Sequence, residues 1–255
     1  MLRLANLSRW QAGAGHLLLS AVIGASVLAA MIFVWYPLPY FEAAGGNDLV
    51  LLMVGIDVAL GPLLTLAVFN PRKGMRKLRF DLAVIAIFQL AALAYGIHVM
   101  FVARPAYLVF AVDRFDLVMN NQLSDTELAK AAPPWNRRPL AKPPTVGARV
   151  PADAKLKEES LFLALGGVDL PQQPRFFVPY DEVAADAAKH ALPLAGLREL
   201  NPEAQARIDA VVAASGRAEA QLGFLPARAP NRDFAVIVDR GSGAIVERVM
   251  LKPWT

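Results

Sequence analysis

Leu17-Leu-Leu-Ser-Ala-Val-Ile-Gly-Ala-Ser-Val-Leu-Ala-Ala-Met-Ile-Phe-Val-Trp-Tyr36 contains no charged side chain. A bilayer core takes about twenty apolar residues in helical form, so this run is long enough to cross one. Two later stretches read the same way. Leu49 to Phe69 carries a single charge, Asp57, and Leu82 to Ala103 carries none with His98 neutral. Three transmembrane helices are therefore expected, at 17–36, 49–69 and 82–103, making a membrane domain of residues 1–104. The first run exceeds the roughly 7–15 apolar residues of a signal peptide. No small-residue cleavage site precedes its aromatic end, so it is read as a retained span.

The flanks give an orientation. Arg3 and Arg9 precede the first run, and Asn70-Pro-Arg-Lys-Gly-Met-Arg-Lys-Leu-Arg-Phe80 holds five basic residues and no acidic one. The connection from Pro37 to Asp48 has no basic residue. Lysine and arginine concentrate on the cytoplasmic side of membrane proteins. The N-terminus and the Arg72–Arg79 loop are thus expected in the cytoplasm, the latter against lipid headgroups. The 37–48 connection and the chain after about residue 104 are expected outside it. The whole reads as a multi-pass membrane protein.

Composition agrees with a membrane class: 56% of the 255 residues are hydrophobic. The formal net charge is +4, but residues 104–255 hold nineteen basic and eighteen acidic side chains, so the excess belongs to the membrane part. That distribution argues against a nucleic-acid partner. Cysteine is absent, which excludes disulfides, thiolate metal sites and a cysteine nucleophile.

Residues 105–255 read as a small α+β domain of three to five mostly antiparallel strands. Tyr107-Leu-Val-Phe-Ala-Val112 is a buried-strand pattern that Leu117–Met119 would extend. Ser124-Asp-Thr-Glu127 has capping-box spacing and should open a helix. Six prolines between Pro133 and Pro151 make that segment an extended excursion. Residues 181–195 look helical with an interruption at Pro193. Asn201-Pro-Glu203 should start a helix that closes at Gly216. Phe234–Asp239 and Ile245–Leu251 flank Arg240-Gly-Ser-Gly243 as a hairpin.

Asp57 is the sharpest chemical candidate. A carboxylate in hydrocarbon is costly, so such residues face protein and carry a role. Tyr95 and Ser26 lie at similar depth and could hydrogen-bond to it. Pro62, one turn on, should kink the helix and free a carbonyl. Thr65 and Gln89 share a depth as well. These residues serve either as a docking or switching site for another membrane helix or as a polar clamp between helices. Enzyme readings fare poorly. One membrane aspartate cannot make an aspartyl dyad, Ser26 and His98 lack a nucleophile elbow, and no phosphate loop is visible. His16, His98 and His190 lack metal-ligand spacing. Asp113-Arg-Phe-Asp116 reads as a salt-bridged turn. No catalytic residue, metal, cofactor or small-molecule substrate is expected.

Several stretches resemble the TfpX/TfpZ family of type IV pilin accessory proteins. They are Trp35-Tyr-Pro37 with Gly45-Gly46, Asp57-Val-Ala-Leu-Gly-Pro-Leu-Leu-Thr65 with Val68-Phe69, and Asp81 with Gln89 and Ala92-Leu-Ala-Tyr-Gly96. Arg104-Pro105, Val112-Asp-Arg-Phe115 and Pro253-Trp254 also fit. The match is dense over 35–118 and sparse over 130–230. The resemblance implies an inner-membrane chaperone or assembly modulator that binds the major type IV pilin. The alternative is a membrane sensor with a periplasmic ligand-binding domain, which would have only the eleven-residue basic loop as its cytoplasmic output.

Overall fold

The computed structural model describes residues 7–254, apart from the side chains of Leu49, Leu52, Met53, Val54, Ile56, Asp57 and Pro71. The chain forms two compact units. One joins the chain up to Phe33 with Gly46–Val102, and the other joins Val34–Gly45 with the chain from Ala103 onward.

The first unit is helical. Helix α1 (Arg9–Ala30) starts at Ser8, whose hydroxyl accepts from the Gln11 amide while the Gln11 side chain accepts from the Ser8 amide. It continues as a π-helix over Met31–Trp35. After α2 (Tyr40–Ala43), which belongs to the second unit, the chain runs through α3 (Gly46–Val54), a π-helical segment (Gly55–Leu60) and α4 (Gly61–Val68). Helix α5 (Met75–Val102) runs unbroken through 28 residues.

Among the described residues two helices are long and apolar enough to cross a membrane, Arg9–Trp35 and Met75–Val102. The expected third span, 49–69, is corrected: that stretch is divided among α3, the π segment and α4. Pro62 sits in the first turn of α4. It has no N–H to donate and its ring crowds the preceding turn, and the hydrogen-bond register widens just before it. Composition alone made the stretch look uniform.

The second unit corrects the other half of the fold expectation. In place of a small domain with three to five strands, it holds an eight-stranded mixed sheet with helices. The strands are β1 (Pro105–Ala111), β2 (Arg114–Met119), β3 (Thr145–Ala148), β4 (Phe177–Pro179), β5 (Leu192–Pro193), β6 (Leu222–Arg228), β7 (Phe234–Asp239) and β8 (Ile245–Val249). Their order is β4-β3-β1-β2-β6-β7-β8, with β5 against β6. The β1–β3 and β2–β6 pairs are parallel and the rest antiparallel. Leu117–Met119 does not extend β1 but belongs to its return strand. The turn between them places Val112 at φ 62, in the left-handed region, where a β-branched residue is strained. Thr145–Ala148 is an inner strand lying inside the proline-rich segment, in its longest proline-free gap.

The helices are α6 (Asp125–Lys130), α7 (Ala154–Leu165), α8 (Ala184–His190), α9 (Leu194–Leu200) and α10 (Gln205–Ser215). Ser124 caps α6 by accepting from the Glu127 amide at 3.1 Å. Gly216 closes α10 at φ 64, a conformation that suits glycine. Asn201 stands at the start of a 3-10 turn (Pro202–Ala204) that leads into α10, but its side chain makes no capping bond. Its side chain donates to the Leu197 and Lys252 carbonyls and accepts from the Lys252 amide, pinning the C-terminal tail.

Alternation along the strands separates three apolar groups. Tyr107, Val109, Val118, Val146 and Phe177 form one core with Leu123 and Leu128. Leu222, Phe224, Ala235 and Ile237 form a second with Leu194, Leu197 and Ile208. The opposite face buries Leu108, Phe110, Phe115, Leu225, Phe234 and Val236. The sheet curls around that face, so that Arg248 of β8 donates to the Thr145 hydroxyl of β3 at 2.9 Å. The Tyr180 hydroxyl donates to the Gly243 carbonyl at 2.7 Å. Residues 34–45 fill this curl rather than forming a plain connection. Tyr36, Tyr40, Phe41 and Ala43 are buried, and Tyr40 packs edge-on against Phe234 with centroids 5.9 Å apart. The Ala43 carbonyl accepts from the Asn231 and Arg232 amides, and Arg232 pairs with Glu42 at 2.7 Å.

Helix α7 is held mainly through polar contacts. Gln173 donates to the Ser160 and Val168 carbonyls, and Arg175 reaches Glu159 at 3.1 Å. Its Leu161, Phe162 and Leu165 side chains point outward.

Candidate functional site

The helical unit brings several of the sequence candidates onto facing surfaces. Helices α1 and α4 approach closely because Gly13 has no side chain: a Cβ there would stand 2.8 Å from the Leu66 side chain. That approach lets the His16 ring Nδ1 share a hydrogen bond with the Thr65 hydroxyl at 2.5 Å. Thr65 is buried. On the other side of α4, the Gln89 amide of α5 lies on bare backbone at Gly61, where a Cβ would fall 2.0 Å from its Nε2. Pro62 is buried beside it.

His16, Ser20 and Gln89 then line one cavity of about 230 Å³ between α1 and α5, walled by Leu19, Ile23 and Leu90. The cluster has hydrogen-bonding groups in an apolar setting, and such groups join membrane helices. Thr65, Pro62 and Gln89 are thus gathered around α4. Tyr95 is not with them: it is 71% exposed on α5. Ser26 donates to the Val22 carbonyl of its own helix. Asp57 lies in the π segment, one turn before Gly61, and its side chain is outside the described residues.

Sequence reasoning passed over His16, having weighed it only for metal spacing. A depth count would have found it. His16 stands seven residues after Arg9, and Thr65 seven before Arg72.

The sheet unit holds a second candidate. A cavity of about 400 Å³ under α7 is lined by Val112, Arg114, Asp116, Lys157, Leu161 and Asp169, among others. Arg114 stands 3.5 Å from Asp113 and 3.6 Å from Asp116. Burial pushes the Asp116 carboxyl up to about 6. Arg114 and Arg228 oppose the rise, and Asp169 and Asp113 add to it. Among the described residues no group of three or more acidic or histidine side chains could hold a metal ion.

Comparison with known proteins follows this geometry. The fimbrial assembly protein, serogroup E1, of Dichelobacter nodosus is 31% identical over 228 residues, covering 88% of this chain and 88% of that protein. The chain belongs to the fimbrial assembly protein family. The family member of serogroup I, from the same organism, is 34% identical over 180 residues, 71% of this chain and 70% of its own length. The model of the fimbrial assembly protein FimB matches residues 6–45. That stretch holds α1 with His16 and Ser20, and then the segment that fills the curled sheet. No solved structure matches this family member.

Proposed function

We propose that the protein is an accessory of the TfpX/TfpZ type that assists type IV pilus assembly from the inner membrane by binding the major pilin, without catalysing a reaction. The likeness to a fimbrial assembly protein over 88% of the chain carries this reading. The architecture supports it. A pilus subunit with an apolar helix and a globular head would offer one surface to the apolar helices and another to the sheet unit. Two weak contacts made at once on a shared membrane gain effective concentration. The charge of the basic loop Arg72–Arg79 supports a cytoplasmic position for that loop and the N-terminus, with the sheet unit in the periplasm.

A clean deletion tests the function. Surface pili and pilin level should fall while unrelated secretion stays intact, and affinity-tagged protein should retain the pilin through mild detergent. Normal piliation in a strain with no second copy of the gene would refute the reading. Alkaline phosphatase fused at the C-terminus tests the topology and should be active.

A further inference from the structure

The cavity between α1 and α5 opens outward. Leu19 and Leu90 on its rim are each 59% exposed, on helices whose surface would lie against hydrocarbon. Lipid tails can cover such leucines. They have no donor or acceptor for the polar groups beneath, and an unmatched polar group in hydrocarbon is costly. His16 is the clearest case. Its Nδ1 is engaged by Thr65. A neutral imidazole has one donor and one acceptor nitrogen, so whichever tautomer is present, Nε2 has a hydrogen bond still to make. Among the described residues it has no protein partner. Ser20, buried on the same floor, adds a hydroxyl.

We propose that this groove seats a transmembrane helix of the partner subunit, one that carries a hydrogen-bonding side chain within an otherwise apolar run. The inference rests on the proposed pilin partner and names where in the membrane it is held. The apolar walls take the helix's aliphatic side chains, and His16 Nε2 with Ser20 takes its polar one. A second copy of this chain fits less well. The groove is concave, and the outward faces of α1 and α5 are mainly apolar, with Val22, Phe33, Phe80 and Phe88 exposed and the Ser26 hydroxyl spent on its own helix.

Photoreactive residues at 19 and 90, on the groove rim, are compared with residues at 33 and 88, each 73% exposed elsewhere on the same helices. All four positions are exposed, so the substitutions leave packing intact. The full-length protein is crosslinked in living cells and adducts are identified by mass. Pilin adducts from 19 and 90, and not from 33 and 88, are the expected result. Leu90→Trp, which fills the groove, should abolish the adduct at 19. His16→Ala should reduce it roughly three- to tenfold, the effect of one interhelical hydrogen bond. Lipid-only adducts at 19 and 90, adducts between two copies of this chain, or equal pilin yield at all four positions would overturn the proposal. If the deletion strain lacks pili while 19 and 90 capture only lipid, the groove is refuted and the pilus role stands.

Discussion

Replacing Asp116 with asparagine should make the sheet unit more stable at neutral pH and change little at pH 4. The carboxyl sits beside the cavity under α7, with its side chain 14% exposed. Burial raises it from an ordinary 3.8 to about 6 in the folded chain. The folded state therefore binds this proton more tightly than the unfolded state. Its stabilising contribution is complete below pH 3.8 and is lost as the pH rises through 6. Each unit of displacement corresponds to about 1.4 kcal/mol, so the charged form costs the fold up to about 3 kcal/mol at pH 7.5. Asparagine has a similar shape and never ionises. Arg114 keeps Asp113 as a neighbour at 3.5 Å. Urea unfolding of the detergent-solubilised protein, followed by the fluorescence of Trp135 and Trp254, would measure the difference at pH 4, 5, 6 and 7.5. A gain of about 1–3 kcal/mol at pH 7.5 that fades to nothing at pH 4 is the expected outcome. A variant less stable at pH 7.5, or one whose difference ignores pH, would show that Asp116 is held ionised by its arginines and that burial does not dominate.

Three further outcomes are expected. Tyr40→Ala should destabilise the sheet unit by about 3–5 kcal/mol, as removal of a buried aromatic does, whereas Glu42→Ala, which breaks a surface ion pair, should cost about 0–1 kcal/mol; urea midpoints compare the two. Gly61→Ala forces a methyl into the Gln89 amide and should cost about 1–3 kcal/mol by overpacking, read as faster proteolysis of the helical unit and lower piliation. Asp57→Asn should support piliation and Asp57→Leu should not, provided both proteins reach normal levels, because a neutral carboxyl and an amide can each hydrogen-bond in hydrocarbon; failure of both variants would mean the charge itself matters.

Where local chemistry decides conformation, the sequence was legible. Ser124 caps a helix, Gly216 ends one, and the Phe234–Asp239 and Ile245–Val249 strands pair across Arg240–Gly243. These depend on a few adjacent residues. The sheet's extent was not legible, because β3, β4 and β5 have four, three and two residues, too short to show a period. The β1–β2 turn uses Val112 where an asparagine or glycine would have announced it. The middle apolar stretch read as a single span kinked at Pro62, because hydropathy does not tell a kink from the division into α3, a π segment and α4. Helix α7 was hidden by its inverted pattern, with leucines outward and Ser160 inward. Of the candidate cluster, Thr65, Pro62 and Gln89 could be named from residue type and depth. The partner that organises them, His16, depends on how α1 meets α4, a contact permitted by the bare backbone at Gly13.

The insertion of residues 34–45 into the sheet sets a timetable for biogenesis. Glu42 and Arg232 are separated by 190 residues, so the ribosome releases one roughly 10–40 s before the other at usual elongation rates. Through that interval Tyr36, Tyr40 and Phe41 have left the ribosome, but the strands that will bury them have not been made. Amphipathic aromatic rings settle well at a membrane–water interface, and α1, translated just before them, would hold them there. On the proposed membrane placement, the bilayer surface would be a temporary shelter for part of a core that closes last. A sheet unit synthesised from residue 103 onward, without that waiting segment, would close around a void where Tyr40 belongs.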